Sequence, residues 1–242
     1  MHGIAYDEIH DEIVVPQQFG QGVLTFAGNA TGEAVPKRVI NGSRTQLIRP
    51  DRVAIDPLNN EIYVPEASGK VLVFDREANG NVAPIRVLAG PATRLDSPRA
   101  VAIDATRNLL VIADGHGSGR GESKLVIFDR TASGNVAPKR VISGTPGNGN
   151  IDLYREGGLI FMTIRPENAE ESASAYIGVW SIDDEGLVPP RYTIGGPQGI
   201  LREPRGLGID PKAQTVVVSD KVLNAVLTFH VPALFKTKIP AR

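Results

Sequence analysis

The sequence predicts an all-β protein built from repeated four-stranded antiparallel sheets, and three observations support this prediction. A stretch of eleven residues recurs with small changes, as GEAVPKRVING at 32–42, GNVAPIRVLAG at 80–90 and GNVAPKRVISG at 134–144. A second pattern, PxxVAID, starts at Pro50 and Pro98 and returns as PRGLGID at Pro204. Between these markers lie short apolar runs that alternate with period two, as half-buried strands do. A repeat of this length and strand content is typical of a β-propeller blade.

The spacing of the second pattern divides the whole chain into units. Pro50 and Pro98 are 48 residues apart, whereas Pro98 and Pro204 are 106 residues apart, which corresponds to two units. A diverged copy therefore lies between them, in NIDLYREGGLIFMTI and AYIGVWSIDDEG. We predict one propeller domain over residues 1–242, with units at about 1–49, 50–97, 98–150, 151–203 and 204–242.

Each unit contains four predicted strands, which are clearest in the second unit. RVAID, NEIYV, KVLVFD and IRVLAG are rich in Val, Ile, Phe and Tyr, the residues that favour strands. Asp-Pro, Asn-Asn, Ser-Gly and Asn-Gly-Asn separate them and favour turns. Gly80 and Asn81 are predicted to form the last turn, and Pro84 to start the outer strand, where a missing N–H costs no ladder bond. Five antiparallel blades, or an incomplete six-bladed propeller, are the predicted fold class.

The fifth unit is predicted to lack its outer strand. The Pro-x-Arg that opens each outer strand recurs for the last time at Pro240–Arg242, and nothing follows it in this sequence. Three explanations stay open: a five-bladed ring with one short blade, a partial or processed piece of a six-bladed chain, and a ring completed by a partner's strand. A bare sheet edge would favour strand addition by another chain.

These motifs carry a resemblance to a known family. PxxVAID, EIYV and VxVFDR resemble NHL and related six-bladed propeller repeats, in particular the bacterial variety with a GNVAPxR linker. The resemblance covers nearly all of the chain, strongly in the second and third units and weakly in the fourth. It implies a propeller fold, and it implies little about chemistry, because similar propellers include interaction domains, lyases and lactonases.

Composition excludes several classes of function. The chain has 26 Lys and Arg against 27 Asp and Glu, so no bulk charge attracts it to nucleic acid or to anionic membranes. It has no Cys, which rules out disulfides and thiolate chemistry. No apolar run reaches the roughly 18 residues that a membrane span needs, and the acidic first residues do not resemble a signal peptide. The compartment is unknown, although the resemblance to bacterial relatives favours export.

Two departures from the repeat are candidate ligand sites. The insertion from Asp114 to Ser123 is glycine-rich, and its Asp114, His116, Arg120 and Glu122 could converge on a ligand, because loops on rigid scaffolds often carry function. In the fourth unit Asp152 replaces the Ala of VAID, where it could ligate a cation; a hydrogen-bonded or solvated carboxylate is the simpler interpretation.

Other polar residues recur with the repeat, and recurrence favours structure over chemistry. An Asp ends the first strand of most units and is expected to accept N–H bonds from the following turn. Arg99 and Arg205 precede first strands and could make one mouth of the propeller basic, which would suit an anionic ligand or an acidic partner segment; salt bridging is the alternative. The recurring aspartates are Asp7, Asp56, Asp104 and Asp210.

Two functions from different classes remain. The first is a non-catalytic module that binds a protein partner or forms a homo-oligomer through loops and an open blade edge. The alternative is a metal-dependent lactonase-like or lyase-like enzyme with a divalent cation in the channel. The four histidines fall at unrelated positions in their units, which disfavours a three-histidine site. The first function is preferred, with no cofactor expected.

Overall fold

The computed structural model describes residues 3–115, 123–147, 149–165 and 175–236. Its strands form five sheets in which consecutive strands of each repeat pair antiparallel, and the fold is a five-bladed β-propeller. The all-β prediction is therefore confirmed.

The first and second strands of every unit form a hairpin closed by a short turn. The first strands are β1 (Ala5–Asp7), β5 (Ala54–Asp56), β9 (Pro98–Asp104), β13 (Ile151–Tyr154) and β18 (Pro204–Asp210). The second strands are β2 (Glu12–Gln17), β6 (Glu61–Glu66), β10 (Leu109–Asp114), β14 (Leu159–Ile164) and β19 (Thr215–Asp220).

Third strands follow in all five units and outer strands in four. The third strands are β3 (Gly22–Ala27), β7 (Lys70–Asp75), β11 (Lys124–Asp129), β15 (Tyr176–Ser181) and β20 (Ala225–His230). The outer strands are β4 (Arg38–Asn41), β8 (Arg86–Ala89), β12 (Arg140–Ser143) and β17 (Tyr192–Gly195). A two-residue strand, β16 (Gly186–Leu187), adds in parallel to β12. The short helix α1 (Pro232–Phe235) follows β20.

The fifth sheet has three strands within the described residues, in the order β18-β19-β20. This agrees with the sequence, which predicts no outer strand there before Pro240. That proline and Arg242 lie outside the described residues.

The recurring linker joins one blade to the next, a role that the sequence did not reveal. Gly80 forms a parallel bridge with Ile40 of the preceding outer strand, and Gly134 does the same with Leu88. The Oδ1 atom of Asn135 accepts a hydrogen bond of 2.7 Å from the Ala92 N–H. Asn81 makes the equivalent contact one blade earlier.

This contact explains why the repeated stretch ends in a glycine. Gly90 has a φ of 120°, which side chains rarely adopt, and a Cβ atom there would lie 2.5 Å from the Asn135 Oδ1 atom. Gly42 faces Asn81 in the same way. Between consecutive copies of the motif, a glycine that ends one copy therefore fits against the asparagine that begins the next, in the pairs Gly42–Asn81 and Gly90–Asn135.

The chain divides into two compact units, each with an apolar core between blades. The first comprises residues 1–110 and 128–138, and the second residues 111–127 and 139–242. In the first unit Val14 and Val23 of blade one pack with Leu72 and Phe74 of blade two. The core of the second unit combines residues of blades four and five with α1, including Phe161, Val179, Val216, Val218 and Phe235. In the described part of the chain, no helix is both long and apolar enough to cross a bilayer.

Candidate functional site

The outer edge of β20 is the feature that sets the fifth blade apart. In the other blades the second residue of the third strand pairs with an outer strand: Val23 with Ile40, Val71 with Leu88, Leu125 with Ile142, and Ile177 with Ile194. Val226 is the matching residue of β20. Among the described residues, no strand pairs with β20 on this side.

Backbone groups along this edge point away from the sheet. In the other four blades the carbonyl of the fourth residue of the third strand accepts an N–H from the chain entering the outer strand, at 2.7–2.8 Å. Thr228 holds that position in β20. Because alternate residues of a strand direct their backbone groups to the same side, Val226 and Thr228 both offer donors and acceptors there. The edge is therefore suited to accept a further strand.

The side chains of β20 are also unusually exposed. Val226 is 70% exposed, whereas Val23, Val71, Leu125 and Ile177 are each at most 1% exposed. In blade one this position packs against the next blade, as the core containing Val23 and Leu72 shows. In blade five the same face carries Val226, Thr228 and His230, all exposed. This mixture of polar and apolar groups resembles a binding surface more than a blade interior.

Two buried glutamates form charge clusters that sequence reasoning missed. Glu12 opens β2, is 1% exposed, and contacts Lys37 at 2.5 Å, Arg38, and Arg76 of the next blade at 2.9 Å. Burial would raise the pKa of Glu12, but hydrogen bonds from Arg38, Lys37 and Arg76 outweigh it and lower the pKa to about 2.

Glu61 repeats this arrangement one blade later. It binds Arg86 of its own outer strand at 2.7 Å and Arg130 of the next blade at 2.6 Å. Its carboxylate also accepts the Tyr63 hydroxyl at 2.6 Å, and burial together with this bond raises the pKa of the phenol. Two features of the repeat could have predicted these clusters: the Glu that opens the second strand and the Arg that ends the VxVFDR motif. Both connect blades and are structural.

The predicted insertion site lies mostly outside the described residues. His116, Arg120 and Glu122 are not among them. Asp114 is fully buried at the end of β10, and its Oδ2 atom lies 3.3 Å from the Lys124 Nζ atom. The convergence of these four side chains on a ligand therefore stays a prediction.

Asp152 binds backbone rather than facing an open site. Its two oxygens accept the N–H of Leu153 at 2.8 Å and the N–H of Ile209, in blade five, at 3.0 Å. Burial raises the pKa of its carboxyl group, and the two backbone bonds only partly offset this. The carboxylate thus joins the first strands of two blades. This fits the simpler interpretation of the sequence, a hydrogen-bonded carboxylate. A cation there stays untested.

The recurring aspartates accept turn N–H groups, which confirms their predicted structural role. Asp7 accepts the Ile9 and His10 amides at 3.0 Å, and Asp104 accepts that of Arg107 at 3.0 Å. Asp56 and Asp210 do the same for Asn59 and Ala213.

The structure gives the two predicted mouth arginines different surroundings. Arg205 pairs with Glu203, which also lies 3.7 Å from both Arg165 and Lys221. Arg99 lines a cavity in the first unit together with Arg49, which sequence reasoning missed. Arg49 lies in the loop before β5 and Arg99 at the start of β9, and only the folded chain brings them together.

No group of three His, Cys, Asp or Glu side chains suited to a metal ion occurs in the part of the chain that the structure describes. His2 and His116 lie outside that part. The metal-dependent alternative therefore gains no ligand set here and stays a prediction.

The comparisons with known proteins support the fold. No protein-family model matches the chain. No curated protein matches it either. The resemblance to NHL-type repeats consequently rests on the sequence motifs alone.

Solved structures similar to this chain are propeller proteins. A chain in the crystal structure of a nidogen/laminin complex aligns with a TM-score of 0.61 and 14% identity, over 96% of this chain and 80% of that chain. A chain in the crystal structure of the mitotic checkpoint complex aligns with a TM-score of 0.63 and 10% identity, over 94% of this chain and 63% of that one. At these identities the similarity establishes the propeller fold alone.

Proposed function

We propose that this chain is a non-catalytic protein-interaction module that binds an extended polypeptide segment along the free edge of β20. The observation that carries the proposal is the absence, within the described residues, of an outer strand on β20, where the other four third strands have one. The segment would take the place of that strand and satisfy the outward backbone groups of Val226 and Thr228.

The other outer strands indicate what such a segment looks like. They are short, and their sequences RVIN, RVLA, RVIS and YTIG are rich in β-branched residues. In blades one and two the Arg of the outer strand pairs with the Glu that opens the second strand. In blade five the residue that opens the second strand, β19, is Thr215, which has no carboxylate. The incoming segment therefore needs a β-branched, extended core but no arginine at that position.

Neighbouring structures are compatible with this proposal. The two similar propellers described above come from structures of protein complexes. Their partners carry no information about the partner of this chain, because the identities are too low. What supports an interaction role here is the geometry of blade five.

A peptide-binding experiment tests the proposal. A fluorescent peptide with the sequence of residues 136–144, VAPKRVISG, contains an outer strand of this chain. We expect saturable binding in fluorescence anisotropy, and loss of binding when the residue matching Ile142 in the peptide is proline, because Ile142 pairs with Leu125 in the intact blade.

Two protein variants make the test specific for the edge. Val226→Pro removes an outward N–H without removing a bond to β19, so it should abolish binding and preserve the fold. Val226→Thr keeps the N–H and should bind like the parent. Equal binding by both variants would refute the edge as the site. Light scattering over a concentration series then shows whether a second copy of the chain serves as the partner.

A further inference from the structure

A cavity in the first unit is lined by two arginines. Its volume is about 320 Å³, and its lining includes Arg49, Arg99, Asp51, Gln18, Pro65 and Pro98. Volumes of this size suit a small organic molecule. The prolines and the guanidinium groups give the cavity apolar walls and charged ends.

Neither arginine is neutralised by the described part of the protein. Most described arginines contact a carboxylate, as Arg38, Arg76 and Arg86 do. Arg49 and Arg99 instead make hydrogen bonds through their backbone: the Arg49 N–H donates to Glu66 at 3.1 Å, and the Arg99 carbonyl accepts from Arg52 at 3.2 Å. Among the described residues, no carboxylate lies within ion-pair distance of either guanidinium.

Arg99 also contains a buried nitrogen without a partner. Its Nε atom is buried and makes no hydrogen bond to any described residue. A buried, unsatisfied donor on a charged group is costly, and an oxyanion in the cavity would be the natural partner for a guanidinium. Asp51 does not fill this role, because it lies 3.6 Å from the Arg52 Nη1 atom instead.

The loop that carries Arg49 is held in place by a separate group. Glu66, buried at the end of β6, accepts the N–H groups of Ile48 and Arg49 at 3.0 and 3.1 Å. The backbone of the loop is therefore fixed beside the cavity before any ligand arrives, and only the Arg49 side chain has to become ordered on binding.

We propose that this cavity binds a small organic anion through a carboxylate or phosphate group contacted by Arg49 and Arg99. The two guanidinium groups outnumber the single carboxylate of the lining, so the cavity carries a net positive charge. Gln18 supplies a neutral amide for a further polar group, and Pro65 and Pro98 contact the carbon skeleton of the ligand. This site is independent of the edge of β20.

Nuclear magnetic resonance of the full ¹⁵N-labelled chain tests the proposal. The Nε–Hε signals of the arginines are followed while inorganic phosphate or succinate is added at constant ionic strength. We expect a saturable shift of the Arg99 signal with at least one probe. Saturation with phosphate alone would assign a phosphate ligand, and saturation with succinate alone a carboxylate. An Arg99 signal that shows no saturable shift with phosphate and none with succinate would overturn the proposal.

Matched arginine variants complete the experiment. Arg49→Gln removes an exposed guanidinium and should weaken binding by about tenfold or more, as the loss of a charged hydrogen bond does. Arg44→Gln removes another exposed arginine, one outside the cavity, and should leave the affinity unchanged. If both variants bind like the parent, the cavity is not the site. Because Arg49 is exposed, this outcome does not depend on whether Arg99→Gln folds.

Discussion

Val226 and Val71 occupy the same position in the third strands of two blades, yet Val226 is 70% exposed and Val71 is fully buried. Val71 pairs with Leu88 of its outer strand. Val226 has no such neighbour within the described residues. The same local pattern, Val-Leu-x-Phe, therefore places its valine in the core of one blade and on the surface of another.

Replacing each of these two valines by alanine should lower the free energy of unfolding by different amounts. Val71→Ala removes buried methyl groups and leaves a cavity, so we expect it to lower the free energy of unfolding by about 2 kcal/mol. Val226→Ala removes exposed groups and should change it by less than about 0.5 kcal/mol. Urea unfolding of both variants measures the difference. Equal costs would mean that Val226 is covered in solution.

The Glu12 cluster predicts a loss of stability in acid. Because the folded-state pKa of Glu12 is about 2 against an ordinary 4.5, its contribution is complete above about pH 4.5 and disappears as the pH falls toward 2. Glu12→Gln leaves the nearly buried Arg76 without its buried carboxylate partner and should cost about 3 kcal/mol at neutral pH.

The matched control for Glu12 uses the same arginine. Glu77 also pairs with Arg76, at 2.9 Å, but its side chain is 71% exposed. Glu77→Gln should therefore cost less than about 0.5 kcal/mol. Unfolding curves between pH 2 and 7 compare the two variants. If the free energy of unfolding of Glu12→Gln fell in acid as steeply as that of the parent, Glu12 would not be the source of the acid sensitivity.

Asp152 predicts the opposite pH dependence. Its raised pKa means that the folded state disfavours the charged form, so its charge destabilises the fold as the pH rises above the ordinary Asp range. Asp152→Asn removes the charge, but its single oxygen can accept only one of the two amides, so its advantage from losing the charge is set against one lost hydrogen bond and should be greatest at pH 7. This advantage should shrink as the pH falls.

A second variant separates charge from hydrogen bonding at this position. Asp152→Ala leaves the amides of Leu153 and Ile209 without their acceptor and should cost about 1–3 kcal/mol at pH 7. Thermal and urea unfolding provide the measurement. An Asp152→Asn variant that loses stability relative to the parent as the pH rises would indicate that the negative charge itself is needed, as a bound cation would require.

The glycine–asparagine contact between units predicts a non-additive pair of mutations. Asn135→Ala loses the bond to the Ala92 N–H and should cost about 1 kcal/mol. Gly90→Ala adds a Cβ atom that collides with Asn135, and it should cost more. In the double mutant the contacts with the Oδ1 and Cγ atoms of Asn135 are gone, whereas the backbone strain and a close approach of 2.8 Å to the Cβ atom of residue 135 remain. A double-mutant cycle in urea therefore gives a favourable coupling, whereas strict additivity would show that the contact is absent.

Sequence reasoning recovered the repeated elements because their signals are local. Strand alternation, the turn aspartates and the three-stranded fifth sheet seen in the described residues all depend on residues close together in the chain. Arg49 and Arg99 are 50 positions apart in the chain; Arg99 was singled out as a possible contact for an anion, but no local signal marks Arg49 as its neighbour in a shared cavity. The contact between Asn135 and Gly90 was also hidden, although each residue was part of a recognised motif.

The buried ion pairs were not predicted because their partners are also far apart in the chain. Glu12 and Arg76 come from different units, so their pairing required the packing of one blade on another. Asp152 was singled out correctly as a departure from the repeat, but its partner Ile209 lies 57 residues away. Sequence reasoning thus identified Asp152 but not Glu12, and for both residues only the fold identified the partner.

Amide hydrogen exchange at Val226 and Thr228 tests the central claim most directly. Backbone N–H groups on a free sheet edge exchange quickly, whereas those paired with an added strand are protected. We predict fast exchange at both amides in the chain alone and strong protection when the VAPKRVISG peptide is present, with Leu227 protected throughout by β19. Unchanged fast exchange at saturating peptide would contradict strand addition at this edge.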